Sequence, residues 1–353
     1  MVNNSWLLYG AYGYTGRLIA QQAKDRGHDP VLAGRSAEKL IPLAEELDLD
    51  YKVFDLKDEE NILKKIKKFD LVLHTAGPYK YTSTPMLKAC LKSKTNYLDL
   101  TGEIPVLEQN FKYDTQAKKN DIVIISGVGF DVVSTDCLAK YVSDKILNPI
   151  SLEIGINSIS NLSPGTIKTM LEYNDISQLV RRNGELIPLE KYLMRKIQFI
   201  DKEISVRPVT WGDLSTAYRT TSIPNITVYF PVQTKFPNIL KLSGVSAKEM
   251  SSNEKAKKKV LNWIEEHVQG PDEFTRKNNR SYIWVSVSDG EGRSEQAWLE
   301  TMESYRFTAM AAVLSVEKVF ELLPKGALTP ALAFGADFVL EIPETIRHDT
   351  LIN

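Results

Sequence analysis

The sequence predicts an α/β protein: a doubly wound parallel sheet followed by a second, α+β domain built on a mainly antiparallel sheet. Two observations point to it. Short apolar runs alternate with helix-period segments through residues 1–130, and beyond Asp131 the runs lengthen while the breaks fill with Gly, Pro and Ser. Strands are expected at Trp6–Tyr9, Pro30–Ala33, Tyr51–Phe54, Leu71–Ala76, Tyr97–Leu100 and Ile122–Ser126. Helices are expected between them at Tyr14–Arg26, Ala37–Leu47, Asp58–Phe69, Thr84–Lys92 and Ile104–Lys119. Runs this short and this apolar suit a parallel sheet covered by helices on both faces. A helix at Ser134–Ile146 leads to strands at Ser151–Ile159, Asn225–Val232, Ser281–Ser288 and Gln296–Met302. A long helix, Tyr305–Leu323, stops before Pro324, and a helical tail over Leu328–Leu340 opens at Pro330. The expected division is 1–130, 131–305 and 306–353, with the packing of the last segment back on the first domain left open by pattern alone.

Composition narrows the classes of function. With 353 residues and 43% hydrophobic content, the chain can bury a substantial core over about two domains. Charge is balanced, 44 Lys+Arg against 45 Asp+Glu, which gives no footprint for nucleic acid or an anionic membrane. The clusters Lys64–Lys68 and Lys255–Lys259 fall in amphipathic helices and read as solvated faces. Cys90 and Cys137 are far apart and form no metal or redox motif. The four histidines, His28, His74, His267 and His348, lack metal spacing, so no metal is expected, and His74 reads as a buried, hydrogen-bonded residue. Met1–Ser5 is polar and the apolar run after it is too short for a signal peptide, and no stretch reaches a membrane span. The expectation is a cytoplasmic protein with a small-molecule partner, no nucleic acid and no integral membrane segment, with a homodimer admitted. The sequons at Asn3 and Asn225 are then without consequence.

The most specific motif is Gly10-Ala11-Tyr12-Gly13-Tyr14-Thr15-Gly16, which leaves an apolar strand and opens a helix. That is the context a dinucleotide fingerprint requires. Glycines allow the backbone to approach a pyrophosphate, and the helix N-terminus offers it free N–H groups and partial positive charge. The ribose end is read about 20 residues on, where an NAD site places a carboxylate. Here that place reads Gly34-Arg35-Ser36, with no acid before Glu38. Arg35, assisted by Ser36 and Lys39, suits a 2′-phosphate, so NADP(H) is expected over NAD(H). Doubly wound sheets hold ligands outside the carboxyl ends of their strands. Those loops add Asp55, Ala76, Gly77 and Pro78 to the cofactor set, and Tyr79, Asp99, Glu103 and Asp131 as groups able to orient a substrate or move a proton. Tyr-x-x-x-Lys pairs at Tyr141/Lys145 and Tyr192/Lys196 read as ordinary helix faces. The absence of G-x-S-x-G, H-E-x-x-H and Walker A sequences argues against hydrolase, metalloprotease and P-loop chemistry.

Together these segments resemble the saccharopine dehydrogenase-like oxidoreductases. The resembling blocks are Gly10–Gly16, Leu32-Ala33-Gly34-Arg35-Ser36 with Lys39-Leu40, Ala76-Gly77-Pro78-Tyr79, Tyr97–Glu103 and Gly129-Phe130-Asp131. Later ones are Gly212–Tyr218, Ile223–Ile226 and Leu328-Thr329-Pro330-Ala331. The resemblance implies a Rossmann domain followed by a catalytic domain, with NADP(H) carrying a hydride to or from a C=N or C=C bond. It extends to a subgroup that includes trans-acting enoyl reductases. It also brings Asp213 and Tyr218 into the candidate catalytic set. No motif here matches the amino-acid-binding residues of true saccharopine dehydrogenases. An apolar pocket would favour an enoyl reductase, and paired cations an amino-acid substrate. The alternative function is a non-catalytic NADP(H)-binding redox sensor or scaffold; a lipid-associated enzyme rests only on the apolar helix Phe307–Leu323, which reads as core.

Overall fold

The computed structural model describes residues 4–158, 162–172, 178–190, 194–232, 239–246, 249–250 and 253–351. Tyr192 lies outside them. The first half contains β1 (Trp6–Tyr9), β2 (Val31–Gly34), β3 (Tyr51–Val53), β4 (Leu71–His74), β5 (Asn96–Asp99) and β6 (Val123–Ser126). Between them run α1 (Tyr14–Asp25), α2 (Ala37–Leu47), α3 (Glu59–Ile66), α4 (Tyr79–Ser93), α5 (Ile104–Phe111) and α6 (Asp114–Lys119), and α7 (Phe130–Ser143) leads out. The second half contains β7 (Ser151–Ser158), β8 (Leu179–Arg182), β9 (Glu185–Pro188), β10 (Arg195–Gln198), β11 (Glu203–Val209), β12 (Asn225–Pro231), β13 (Arg280–Ser288) and β14 (Ser294–Met302). Its helices are α8 (Pro164–Glu172), α9 (Asp213–Thr221), α10 (Ile239–Ser243), α11 (Glu254–His267), α12 (Glu273–Asn278) and α13 (Ser304–Leu322). The chain closes with β15 (Gly326–Leu328), α14 (Pro330–Phe334) and β16 (Ile346–His348).

The first sheet is parallel throughout, in the order β15-β6-β5-β4-β1-β2-β3. Strand order reverses between β1 and β4, so the crevice for a ligand opens at their carboxyl ends. All four residues of β1 are buried: Trp6 and Leu8 pack with α1, α2 and α13, and Leu7 and Tyr9 with α3 and α4 on the opposite face. The second sheet runs β10-β11-β12-β7-β13-β14-β16, antiparallel except for β12 beside β7, with the β8–β9 hairpin joined to β12. Helices α7 and α9 cover one of its faces in the largest core of the molecule.

The C-terminal segment crosses both sheets. Helix α13 lies against α1, β15 pairs with β6 from Gly326↔Val123 to Leu328↔Ile125, and β16 pairs with β14. Leu328, expected to head the helical tail, instead ends the seventh strand of the parallel sheet.

Several boundaries differ from expectation for local reasons. Helix α4 starts at Tyr79, not Thr84, because the Glu103 carboxylate accepts the amides of Tyr79 (2.7 Å) and Lys80 (2.8 Å) and caps its first turn. Helix α7 starts at Phe130, not Ser134, where the Thr308 hydroxyl accepts the Phe130 amide at 3.0 Å. The expected helix Ile104–Lys119 breaks at Lys112 and Tyr113. Asn110 ties α5 to Asp99 and Ser126, while Asp114 on α6 accepts the Ala327 amide of β15, and one straight helix could not serve both. Strands β8 to β11 and helices α8 to α10 were not anticipated.

Helices α8, α10 and α11 form a small cap with a core of its own, around Ile167, Ile239, Val245, Val260 and Ile264. It is tied to the first domain through Glu172. That carboxylate receives Lys80 of α4 (2.7 Å), Tyr81 of α4 (2.9 Å) and Lys257 of α11 (2.8 Å). Lys257 belongs to a cluster expected to be a solvated face and is drawn into this pair instead. Burial opposes the Glu172 charge, but Lys257, Lys80 and Tyr81 outweigh it and pull the pKa down to about 2. A carboxylate lowered on folding adds stability that is present above its ordinary pKa and disappears as pH falls through the folded value. Glu172→Gln should therefore melt below wild type at pH 7, with the gap closing between about pH 4.5 and 2. A gap independent of pH in thermal melts would show that the tether is not ionic.

Candidate active site

The glycine turn follows β1 at the point where the sheet reverses. Gly10 has a left-handed φ of +92°, and a Cβ there would lie 2.8 Å from the Ala76 amide nitrogen. At Gly16 a Cβ would lie 2.2 Å from the Gly10 carbonyl oxygen, so helix and turn meet with no space between them. Gly13 is the N-cap of α1 and supplies no side-chain acceptor. The first amides of α1 therefore face the crevice without a side-chain cap, as an anion cradle requires. Tyr12 lays its ring against Gly34, where a Cβ would be 2.4 Å from Tyr12 Cε1. Tyr14 points the other way: its hydroxyl donates to the Pro271 carbonyl at 2.5 Å and its ring meets Tyr305 edge-on at 5.1 Å. Thr15 lines the cleft.

At the end of β2, Arg35 and Lys39 are exposed, and neither side chain has an ion pair of its own among the described residues. Ser36 is the N-cap of α2 and accepts the Lys39 amide at 3.4 Å, so its hydroxyl proton stays available. Asp55 turns its carboxylate onto the Lys57 amide at 3.1 Å. The Ala76, Gly77 and Pro78 backbone follows β4 directly, beside Gly10. The glycine cradle, the uncapped helix end and the two free cations fit a dinucleotide with a 2′-phosphate.

A cleft opens from this groove into the second domain in two adjoining lobes of about 540 and 450 Å³. Phe130, Asp131, Thr166, Met170, Trp211 and Tyr305 line both. Beyond them the second lobe is walled by Ile156, Ile167, Phe230, Ile239, Leu242 and Trp263. Arg207 lines the first lobe, and among the described residues no carboxylate pairs with it.

The candidate catalytic residues separate by what they already hold. Asp99 is fully buried and accepts Thr101 N (3.0 Å), Gly127 N (3.2 Å), Ser126 Oγ (3.1 Å) and Asn110 Nδ2 (3.3 Å). Its burial lifts the pKa to about 6 despite those donors, but it joins β5 to β6 and does not reach the cleft. Glu103 lines the cleft with both oxygens engaged as the α4 cap. Tyr79 also lines it, with its hydroxyl turned to the His74 carbonyl at 3.4 Å. His74 is buried, bonded to Thr82 at 3.0 Å, and desolvation holds its pKa down to about 3. Tyr218 is not at the cleft: it sits on the far side of α9, with the Arg181 guanidinium 4.2 Å above its ring.

Asp131 is the carboxylate left open to the cleft. It stands in the first turn of α7, exposed to the cavity yet crowded by protein, and that crowding raises its pKa to about 6. Behind it, Asp213 begins α9, fully buried, and neither carboxylate oxygen has a hydrogen-bond partner. The Thr135 hydroxyl faces it, but its proton is directed to the carbonyls of Asp131 (3.0 Å) and Val132 (3.2 Å). Burial first, then the charges of Asp136 and Asp131, push Asp213 well above the usual carboxylate range. Tyr305, Thr308, Trp211 and Arg207 were absent from the expected set. Tyr305 and Thr308 sit in the first turns of the long helix, a position that could have flagged them, whereas Arg207 lies within β11 and Trp211 just after it, a strand that was not anticipated.

Residues 6–125 match the family model described as the saccharopine dehydrogenase NADP binding domain. That match takes in about a third of the chain and falls on the parallel-sheet domain. Over 179 residues the chain is 25% identical to a saccharopine dehydrogenase-like oxidoreductase of Bos taurus, covering 45% of this chain and 41% of that protein. Over 138 residues it is 31% identical to a trans-acting enoyl reductase of Mycobacterium ulcerans, covering 37% and 33%. The matched stretches thus span about two-fifths or less of these relatives. The fold extends further than the sequence match. Apo saccharopine dehydrogenase (L-Glu forming) from Saccharomyces cerevisiae superposes with a TM-score of 0.60 at 12% identity, covering 96% of each chain. Homospermidine synthase from Legionella pneumophila, in complex with NAD, gives 0.61 at 10% identity, covering 98% of this chain and 91% of that one. Both superpositions cover nearly the whole of this chain, so the likeness in fold takes in the second domain as well as the first. Among the described residues no helix is long and apolar enough to cross a membrane, and no cluster of His, Cys, Asp and Glu could hold a metal ion.

A buried carboxylate whose pKa is raised on folding stabilises the protein below its unfolded pKa, about 3.9 for Asp, and that stability is lost as pH rises through the folded value. Asp213→Asn removes the ionisable proton. Its melting temperature relative to wild type should rise between pH 4 and pH 8. A difference that stays flat across that range would mean that Asp213 has a partner that satisfies its charge.

Proposed function

We propose that the protein is an NADP(H)-dependent oxidoreductase acting on a largely apolar small molecule that carries one anionic group, with C=C as the favoured bond over C=N. The observation that carries this reading is the cleft itself: a nucleotide groove that opens into an apolar lobe, with the single guanidinium of Arg207 among the described residues lining it. An amino-acid substrate with several carboxylates would call for paired cations. The names of the relatives, oxidoreductase and trans-acting enoyl reductase, support the same class.

When bound, NADPH supplies a hydride to one end of the substrate double bond. The protein's own groups supply the rest. The α1 amides and Arg35 fix the cofactor's phosphates, and Arg207 anchors the substrate anion by charge-assisted hydrogen bonds. The apolar walls exclude water and hold the chain of the substrate. Asp131 holds the proton that the neighbouring carbon must receive. A carboxyl raised to about 6 is still partly protonated near neutrality, whereas an ordinary aspartate is not.

Titration by cofactor fluorescence should give NADPH binding that weakens selectively in Arg35→Ala, with NADH little affected. In the reductive direction, kcat with 2-enoyl thioesters should fall as pH rises through about 6. Asp131→Asn should lose about 10²–10⁴-fold in kcat, and Arg207→Ala should raise KM more than it lowers kcat. Binding of neither cofactor would overturn the assignment. NADPH binding without oxidation by any enoyl or imine substrate would leave a nucleotide-binding sensor in its place.

A further inference from the structure

The two lobes of the cleft meet where Asp131, Thr166, Trp211, Tyr305 and Thr308 line both of them. A substrate with its anion at Arg207 and its chain in the apolar lobe has its reacting bond at this junction. Reduction of a conjugated C=C needs two protein groups there. One gives a proton to the carbon beside the carbonyl, the part assigned above to Asp131. The other meets the negative charge that develops on the carbonyl oxygen as hydride arrives. Two polar groups of the junction are not free for this second part. Thr308 Oγ1 accepts the Phe130 amide at 3.0 Å and donates to the Ser304 carbonyl at 2.8 Å. The Trp211 indole nitrogen is buried away from the cavity.

The Tyr305 hydroxyl is held in a different way. Its oxygen accepts the Ser163 amide at 2.7 Å and lies 3.0 Å from Thr166 Oγ1. Thr166 Oγ1 is in turn 3.1 Å from Ser163 Oγ, which accepts the Thr166 amide at 3.2 Å. With the Ser163 hydroxyl donating to Thr166 and the Thr166 hydroxyl donating to Tyr305, every bond of this ring is made and the phenolic proton is left over. Ser163 and Thr166 line the first lobe beside Tyr305, so that proton has the cleft to turn to. A hydroxyl oxygen that accepts hydrogen bonds is also a stronger donor through its own hydrogen. The ring is fixed from the nucleotide side, where it meets Tyr14 edge-on at 5.1 Å. The Tyr14 hydroxyl is itself held by Arg276 at 3.0 Å and the Pro271 carbonyl at 2.5 Å. Burial raises the Tyr305 pKa, so the phenol stays protonated through neutrality.

We propose that Tyr305 is a catalytic residue that donates its phenolic hydrogen bond to the carbonyl oxygen of a conjugated enoyl substrate, while Asp131 gives its proton to the α-carbon. This rests on the reading of the cleft as a site of C=C reduction and narrows the substrate class, since an isolated C=C has no oxygen for Tyr305 to meet. Hydride from NADPH forms the new C–H bond at the β-carbon, and the π electrons pass to the carbonyl oxygen as an enolate held by Tyr305. The enolate re-forms the carbonyl as its α-carbon takes the Asp131 proton. The substrate gains one hydride and one proton, with oxidation of NADPH to NADP+, and Asp131 recovers its proton from solvent.

The test uses a cinnamoyl thioester with a carboxylate on its thiol side, a chromophore whose absorption moves to longer wavelength when its carbonyl is polarised. Binding is followed separately, by quenching of Trp211 and Trp263, which line the cleft. Wild type should show the red shift without any cofactor. Tyr305→Phe should still bind the thioester and lose the shift, and its kcat with NADPH and 2-enoyl thioesters should fall about 10²-fold or more with little change in KM. No shift in wild type, a shift that persists in Tyr305→Phe, or an undiminished kcat would overturn the proposal. So would loss of thioester binding in a folded Tyr305→Phe, since Tyr305 would then be a strut between α13 and the cap. If Tyr305→Phe melts early, Thr166→Val decides: it keeps the phenol and removes its neighbour, so the shift should survive, and its loss would give the role to Thr166. Failure of every enoyl substrate to oxidise NADPH would overturn the reading beneath the proposal, and it is told apart from failure of the proposal because the shift needs no cofactor.

Discussion

The packing of Gly16 against the Gly10 carbonyl is the contact on which the nucleotide groove depends. At Gly16 not even a methyl group fits against that carbonyl, and at Gly10 the left-handed φ and the Thr75–Ala76 backbone exclude one, so the chain can turn from β1 into α1 at this angle only if both positions are glycine. That angle aims the free amides at the crevice between β1 and β4. It also exposes the opposite side of α1 to α13, and this is where the second half of the chain gains its hold on the first.

The domains are consequently interleaved and not merely joined. The chain leaves the parallel sheet at β6, builds the second sheet, and returns along α13 to add β15 beside β6. Thr308, on α13, accepts the amide at the start of α7, so the helix that bears Asp131 is positioned by the segment that returns. The floor of the cleft is therefore held from both halves of the chain. The cap is held differently, by a small core of its own and by the ion cluster at Glu172. Partly exposed ion pairs are individually weak and sensitive to salt, so this tether is weaker than the packing that holds the floor.

Much of the first domain was legible because its signals are local. Apolar runs between helical periods gave the strands, and Gly10–Gly16 and Arg35 gave the nucleotide groove. What was not legible depends on contacts distant in sequence. Tyr79 heads a helix only because Glu103 reaches back to cap it. Asp99 and Glu103 resemble catalytic acids until their hydrogen bonds are seen to be internal. Tyr218 and Asp213 share one helix, yet the first faces Arg181 and the second is buried behind Asp131. Arg207 lies on a strand of the second sheet that was not anticipated, and only the folding of that sheet against the first domain brings it to the cleft.

The same contrast decides which acid can act. Asp99, Glu103 and Asp213 are all shielded from solvent, but for different reasons. Donors from the protein engage both oxygens of Asp99 and of Glu103, so each carboxylate is committed to holding its own loops in place. Asp213 has no donor at all, and a buried charge without one costs on the order of several kcal/mol, so it stays protonated. A neutral Asp213 adds no repulsion to Asp131 near neutrality. As pH rises, Asp131 loses its proton first, and its charge then adds to the burial that keeps Asp213 protonated, so the two titrate as a pair. Asp131 alone combines access to the cleft with an environment that disfavours its charge. A proton held at that position is available to a bound molecule, and this is the property that the other three carboxylates lack.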